Sequence, residues 1–260
     1  ADMGLDFESF DDYRPGADVR RIDWSLYLRS RSLYVRRFQD EGSGSLVLLV
    51  DASGSMGVEH AAKWHRAYAI AGILALASLR ELHQVRLGVI CHGETQWLPT
   101  AVGFDTAPQL LAFLESKKPT GRTRLNAAMD ALPVTSKQGG VCVVLSDFLV
   151  PDGGAASVRR ARRRGWTLSL VRVSDPDEVE LVPGSISDPE GPGMASIGPQ
   201  PGVVEEVSKL FDSHRAKLPD AARKYGAALT DVSTGPTLRD EVMRVIAAVF
   251  PPLAAGRRVS

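Results

Sequence analysis

Two cysteines in 260 residues, no net charge and no apolar run of membrane length set the first limits on this chain. Cys91 and Cys142 both lie in apolar, strand-like runs, which predicts two reduced core thiols rather than a disulfide framework. Lys plus Arg and Asp plus Glu number 31 each, so the chain lacks the basic excess that general binding to nucleic acid or an acidic membrane needs. The longest apolar run, residues 67–79, is shorter than the roughly 20 residues that span a bilayer, and Gly72 and Ser78 interrupt it. It reads as a buried helix, and no membrane span is expected. No signal-peptide pattern is present, so the cytoplasm is the expected compartment; the start at Ala1 without a methionine leaves room for an upstream segment, a membrane anchor included. The common phosphate cradles, G-x-x-x-x-G-K-[ST] and G-x-G-x-x-G after a strand, are missing too, which argues against a nucleotide site.

What is present is an ordinary globular composition, 44% hydrophobic and 24% charged, with enough length for one main domain and additions. Residues 1–45 are polar, acidic and arginine-rich, with apolar alternation only over 32–38, and read as an arm with one or two strands that packs on the main domain. Arg14, Asp18, Arg20, Asp23 and Arg36 are expected to form structural ion pairs there. From residue 46 to 260, apolar strand runs alternate with helical periodicity. Strands are expected at 46–50, 85–91, 95–99, 141–145, 166–173 and 227–231, with 95–99 antiparallel to its predecessor. Helices are expected at 58–82, 107–115, 124–132, 155–164, 203–225 with a break at Pro219, and 237–249. Residues 174–201 form a Pro/Gly-rich insertion in which a small hairpin is expected, its arms at 179–182 and 185–187 around Pro183 and Gly184. Strands alternating with helices predict an α/β fold with a doubly wound, mostly parallel sheet.

Asp51, Ser53 and Ser55 alternate in the turn Asp51-Ala52-Ser53-Gly54-Ser55-Met56-Gly57, directly after the first buried strand. A carboxylate and two hydroxyls on one glycine-containing turn supply hard oxygen donors of the kind that magnesium takes, six at about 2.1 Å. Two further donors are expected from loops at the same sheet edge. Asp147 follows the strand at 141–145, and Thr123 enters the preceding helix, with Thr120 close by as its competitor. In a sheet of order 3-2-1-4-5-6 the first and fourth strands are neighbours, and ligand sites form where the winding reverses. Asp51 and Asp147 would face each other there. The plainer alternatives are a polar turn whose Ser and Asp cap the following helix, and a strand-end aspartate.

The D-x-S-x-S turn with a later Thr and Asp resembles the metal-ion-dependent adhesion site of von Willebrand factor type A domains. That resemblance implies a divalent metal, Mg2+ or Mn2+, held by Asp51, Ser53, Ser55, Thr123 and Asp147, with a partner's carboxylate completing its shell. A narrower resemblance covers almost the whole chain. Gly4-Leu5-Asp6-Phe7, residues 13–24 from Tyr13-Arg14-Pro15-Gly16 to Ile22-Asp23-Trp24, Leu33-Tyr34-Val35-Arg36-Arg37-Phe38, Ser146-Asp147-Phe148 and Ser174-Asp175-Pro176 look like the signature of the bacterial family called domain of unknown function 58. Members usually carry Gly-Asp-Asp where this chain has Gly16-Ala17-Asp18, which removes the first acidic position. The resemblance implies a non-enzymatic protein-interaction module that works beside a MoxR-type AAA+ ATPase or its client in a chaperone or remodelling system.

Two other functions compete with that expectation. A metal-dependent hydrolase using the same ion would need a base or nucleophile beside it, yet His60 and His65 stand about 140° apart on a helix and His83, His92 and His214 are scattered. An extracellular adhesion module is disfavoured by the lack of disulfides and of a signal sequence. The arginine run at 159–164 reads as a solvated helix face rather than a patch for an acidic partner.

Overall fold

Residues 46–50, apolar without interruption, lie at the centre of a six-stranded sheet in the computed structural model. That model describes residues 6–12, 34–39, 45–81, 83–132, 140–176, 184–187, 190, 194–197, 203–235 and 238–249. The chain divides into two units, Ala1–Gly44 and Ser45–Ser260. In the first, β1 (Asp6–Asp12) and β2 (Tyr34–Gln39) pair antiparallel, with a register shift between Phe7 and Ser9. Residues 34–38 of the expected alternation therefore do form a strand, whereas the expected arginine–aspartate pairs fall on side chains outside the described residues.

The second unit runs β3 (Ser45–Asp51), α1 (Val58–Arg80), β4 (Gln84–Cys91), β5 (Glu94–Trp97), α2 (Ala107–Glu115), α3 (Leu125–Asp130), β6 (Val141–Ser146), α4 (Ala155–Arg163), β7 (Thr167–Ser174), β8 (Gly184–Ser187), β9 (Met194–Ile197), α5 (Val203–Tyr225), β10 (Ala228–Ser233) and α6 (Leu238–Val249). The large sheet has the order β10-β7-β6-β3-β4-β5, parallel except for β5, which returns antiparallel to β4. Counted from β3, this is the doubly wound order 3-2-1-4-5-6, and its reversal lies between β3 and β6.

Strand periodicity explains why both faces are covered. Leu46, Leu48 and Val50 enter one apolar cluster with α1, α2 and α6, while Val47 and Leu49 enter another with α3, α4 and α5. A strand buried on both sides reads as a continuous apolar run because alternate residues face different helical layers. Cys91 and Cys142 are free and buried in these layers, as expected. Burial pushes the Cys142 thiol up, which makes it an inert core group.

Two expectations need correction. The inserted hairpin exists, but β8 (Gly184–Ser187) takes in Gly184 and pairs with β9 (Met194–Ile197), while the expected arm at 179–182 lies outside the described residues. Pro and Gly recur throughout that stretch, and local turn chemistry alone did not single out one pair. Helix α5 also continues through Pro219 rather than breaking there. Leu218, Ala221 and Ala222 on either side are buried, and that packing holds the helix across a residue that removes one backbone hydrogen bond.

The arginine run behaves as a helix end and solvated face. Arg160 pairs with Asp130, Arg162 donates to the Trp166 carbonyl and Arg164 to the Leu132 carbonyl, while Arg159 and Arg163 are exposed. Among the described residues no helix is long and apolar enough to cross a membrane.

One buried ion pair joins α1 to the carboxyl-terminal helix. Arg66 donates to Glu241 at 2.8 Å and to the carbonyls of Thr234 and Gly235, and Glu241 also accepts the Ser233 amide at 2.7 Å. Removing one partner of such a pair leaves the other charge buried and uncompensated. Arg66→Ala should lower the unfolding free energy by about 3 kcal/mol in urea titrations, and adding Glu241→Gln should recover part of that loss; a loss under about 0.5 kcal/mol would mean the pair is worth no more than a surface one.

Candidate functional site

Strand β3 ends on Asp51, and the chain then folds into a single 3-10 turn, Gly54–Gly57, before α1 begins. Ser53, the residue before the turn, makes no side-chain capping hydrogen bond, and the residue before α1 is Gly57, which has no side chain to cap with. The helix-capping alternative therefore fails. The hydroxyls of Ser53 and Ser55 instead face each other at 3.1 Å. Asp51 Oδ1 accepts the Ser53 amide at 3.0 Å, which curls the turn back on the strand end.

The second wall is the loop ahead of α3. It is sewn to the first by backbone bonds from Thr120 to the Ala52 carbonyl, from Gly54 to the Gly121 carbonyl and from His92 to the Thr120 carbonyl. Close approach makes this possible. Gly57 lies where a Cβ would come within 2.9 Å of Pro119 Cβ, and Gly121, at φ +72°, where one would meet the His92 Cα at 2.8 Å. The stitched loop delivers the Thr123 hydroxyl to Asp51 Oδ2 at 3.0 Å. Thr123, rather than Thr120, is the threonine at the cluster, because Thr120 contributes backbone to the seam.

The third wall is the end of β6. Ser146 donates to Asp51 Oδ2 at 2.7 Å and accepts the Phe148 amide at 2.9 Å. Phe148 is buried at a φ of 54°, a conformation uncommon for a bulky side chain, held by its packing in the core. Asp147, between them, accepts the Leu149 amide at 3.1 Å on one oxygen and the Lys63 ammonium at 2.8 Å on the other. Lys63 and Asp147 are both buried, with side chains 1% and 4% exposed.

Asp51 is fully buried, and its carboxyl is raised to about 6, first by burial and then by the charge of Asp147, against the lowering effect of the Ser146 and Ser53 hydrogen bonds. Each of the five expected residues thus sits at the same sheet edge, on the turn after β3, the loop before α3 or the end of β6. Asp51, Ser53, Ser55 and Thr123 are joined by the contacts above, and Asp147 by its charge. All are hard oxygen donors, so their chemistry fits a magnesium or manganese ion. Among the described residues no group of three or more His, Cys, Asp or Glu side chains is arranged as a metal site, so hydroxyls would have to supply much of any shell.

Three participants were not singled out by sequence reasoning. Ser146 had only its place beside Asp147. Lys63 had a usable signal, since it lies four residues before Ala67 and seven before Ile70, on the core stripe of α1, where a cation needs a partner. Glu190 had none. It lies between β8 and β9, yet its Oε1 accepts the Ser55 hydroxyl at 3.1 Å, its Oε2 the Thr123 amide at 3.3 Å, and its carbonyl the Arg122 Nε at 3.2 Å. His60 and His65 are exposed on α1 and add nothing to the cluster.

A sheet of this winding, with a D-x-S-x-S turn at the point of reversal, defines a von Willebrand factor type A-like α/β domain. The chain belongs to the family described as Protein of unknown function DUF58, whose model matches residues 9–221. It is 28% identical over 254 residues, 95% of this chain and 80% of theirs, to uncharacterized proteins of Mycobacterium bovis and Mycobacterium tuberculosis. Its fold is similar to that of the pilus adhesin SpaC from Lactobacillus rhamnosus GG in the open conformation, with TM-score 0.50, 11% identity, and coverage of 81% of this chain and 31% of SpaC. BatB from Bacteroides thetaiotaomicron gives a TM-score of 0.45 at 15% identity, covering 78% of this chain and 97% of that one. The SpRpn10 VWA domain gives 0.39 at 13%, covering 77% and 94%.

Because the folded chain raises the Asp51 carboxyl from 3.8 to about 6, this group's contribution to stability is fully present below about pH 4 and is lost as pH rises through 6. In EDTA at pH 7.5, Asp51→Asn should therefore be more stable than the parent by about 2 kcal/mol, with the difference shrinking towards pH 4. Thermal melts across that range check it; a less stable Asn variant at pH 7.5 would contradict it. Gly57→Ala, by pushing Pro119 away from the turn, should cost about 1–3 kcal/mol, measurable by denaturant titration.

Proposed function

We propose that this domain is a non-enzymatic interaction module whose strand-end site binds a divalent cation, Mg2+ or Mn2+, and through it an acidic side chain of a protein partner. The partner in this reading is a MoxR-type AAA+ ATPase or that ATPase's client. The observation that carries it is the meeting, around one buried carboxylate, of hydroxyls from three separate segments: Ser53 and Ser55 after β3, Thr123 before α3 and Ser146 at the end of β6. A buried carboxylate with hydroxyl neighbours and a second carboxylate nearby favours a cation, and such an ion keeps charge to attract an incoming acid.

Asp51 would lie closest to the charge, with Ser53, Ser55 and Thr123 as oxygen donors and Asp147 held in place by Lys63 and the Leu149 amide. The cation would supply the attraction for the partner's carboxylate; the walls of the site supply its direction and exclude water from beneath it. The metal-dependent hydrolase has no specific observation in its favour.

Capture from native extract separates these ideas. With Mg2+ the immobilised chain should retain a MoxR-type ATPase or a protein bound to it. EDTA and Asp51→Ala should each reduce retention by at least tenfold. Equal recovery in all three conditions would overturn the metal-bridged reading.

A further inference from the structure

We propose that Glu190 is a built-in ligand of this site: the inserted hairpin presents a carboxylate of the chain itself where a partner's acidic side chain would be received, so that a partner must displace it. This rests on the reading that the site takes a carboxylate through a cation.

The contacts are specific in a way that chance surface proximity is not. The two oxygens of Glu190 go to two different walls, Oε1 to the Ser55 hydroxyl and Oε2 to the Thr123 amide, and those are two of the positions expected to surround the cation. Ser55 is 135 residues away in sequence and Thr123 is 67, so no local turn forces the meeting. The Arg122 side chain fixes the backbone at the same point by donating to the Glu190 carbonyl. The paired strands β8 and β9 flank this residue in sequence, so the insertion that carries it has hydrogen-bonded structure of its own.

Electrostatics gives the contact a direction. Asp51 and Asp147 already place two carboxylates at the site, and Lys63 pairs with Asp147. A third carboxylate arriving without added positive charge is repelled; one arriving with a divalent cation is attracted. Cation and Glu190 therefore reinforce each other's binding, and this linkage is reciprocal. A tethered carboxylate also competes at an effective concentration of the order of millimolar. A free acid of weak affinity cannot displace it, whereas a protein that adds contacts around the site can. The hairpin thus acts as a selectivity filter against isolated acidic groups.

The test uses the full chain and Mn2+ alone, followed by a synthetic peptide of residues 184–197 as the carboxylate probe. By calorimetry, Glu190→Gln should bind Mn2+ about tenfold more weakly than the parent, while thermal melts in EDTA show both chains folded. In saturating Mn2+, the peptide should bind the Glu190→Gln chain at least tenfold more tightly than the parent, whose own glutamate competes. The same peptide carrying glutamine in place of its glutamate should bind neither. Equal Mn2+ affinity for parent and variant, or equal peptide affinity, would overturn this inference while leaving the metal-bridged reading standing. Absence of Mn2+ binding to the parent would overturn both.

Discussion

Everything at the functional edge of this domain is arranged around one buried carboxylate. Asp51 ends the central strand with no exposure to solvent, and its oxygens accept from the Ser53 amide and from the Thr123 and Ser146 hydroxyls. Burying a carboxylate is expensive unless its oxygens are met by donors or by positive charge. The three donors come from three segments, so satisfying Asp51 also fixes the turn after β3, the loop before α3 and the end of β6 against one another. The residual cost is visible in the raised carboxyl of Asp51.

The neighbouring carboxylate is handled differently. Asp147 is paired with the buried Lys63 of α1. A buried pair of this kind is weak as a source of stability but strict about geometry, since each charge needs the other in place. It locks α1 to the end of β6 as Arg66 and Glu241 lock α1 to α6. Helix α1 is thus held to the sheet by its apolar stripe and, by charge, to the end of β6 at one point and to α6 at another. The turn that precedes it inherits that rigidity, which suits a site whose donors must not collapse onto each other.

Membership of the DUF58 family and the type A-like fold place this site at the reversal of the sheet, and in the proposed reading the chemistry of that edge says what kind of group it receives. The contact of Glu190 with Ser55 and Thr123 is consistent with a site shaped for a carboxylate. It also gives the insertion a purpose. Without that contact the hairpin between β7 and α5 is an ornament on the fold; with it, the hairpin and the site form one device.

Much of this was legible in the residues. Uninterrupted apolar strands between amphipathic helices predicted the doubly wound sheet, because a strand covered on both faces must be apolar at every position. Asp51, Ser53, Ser55, Thr123 and Asp147 were legible as a set, since alternating donors after a strand and later donors at strand ends fall on one edge of such a sheet. The choice of Thr123 over Thr120 required the backbone seam that gives Thr120 another task. The hairpin register was misplaced because proline and glycine recur throughout that stretch. What only the tertiary structure decided is pairing over long distance: Lys63 with Asp147 across 84 residues, and Glu190 with Ser55 across 135. Local pattern records which face of an element is buried; which charge waits on the other side is set by the packing of elements remote in sequence.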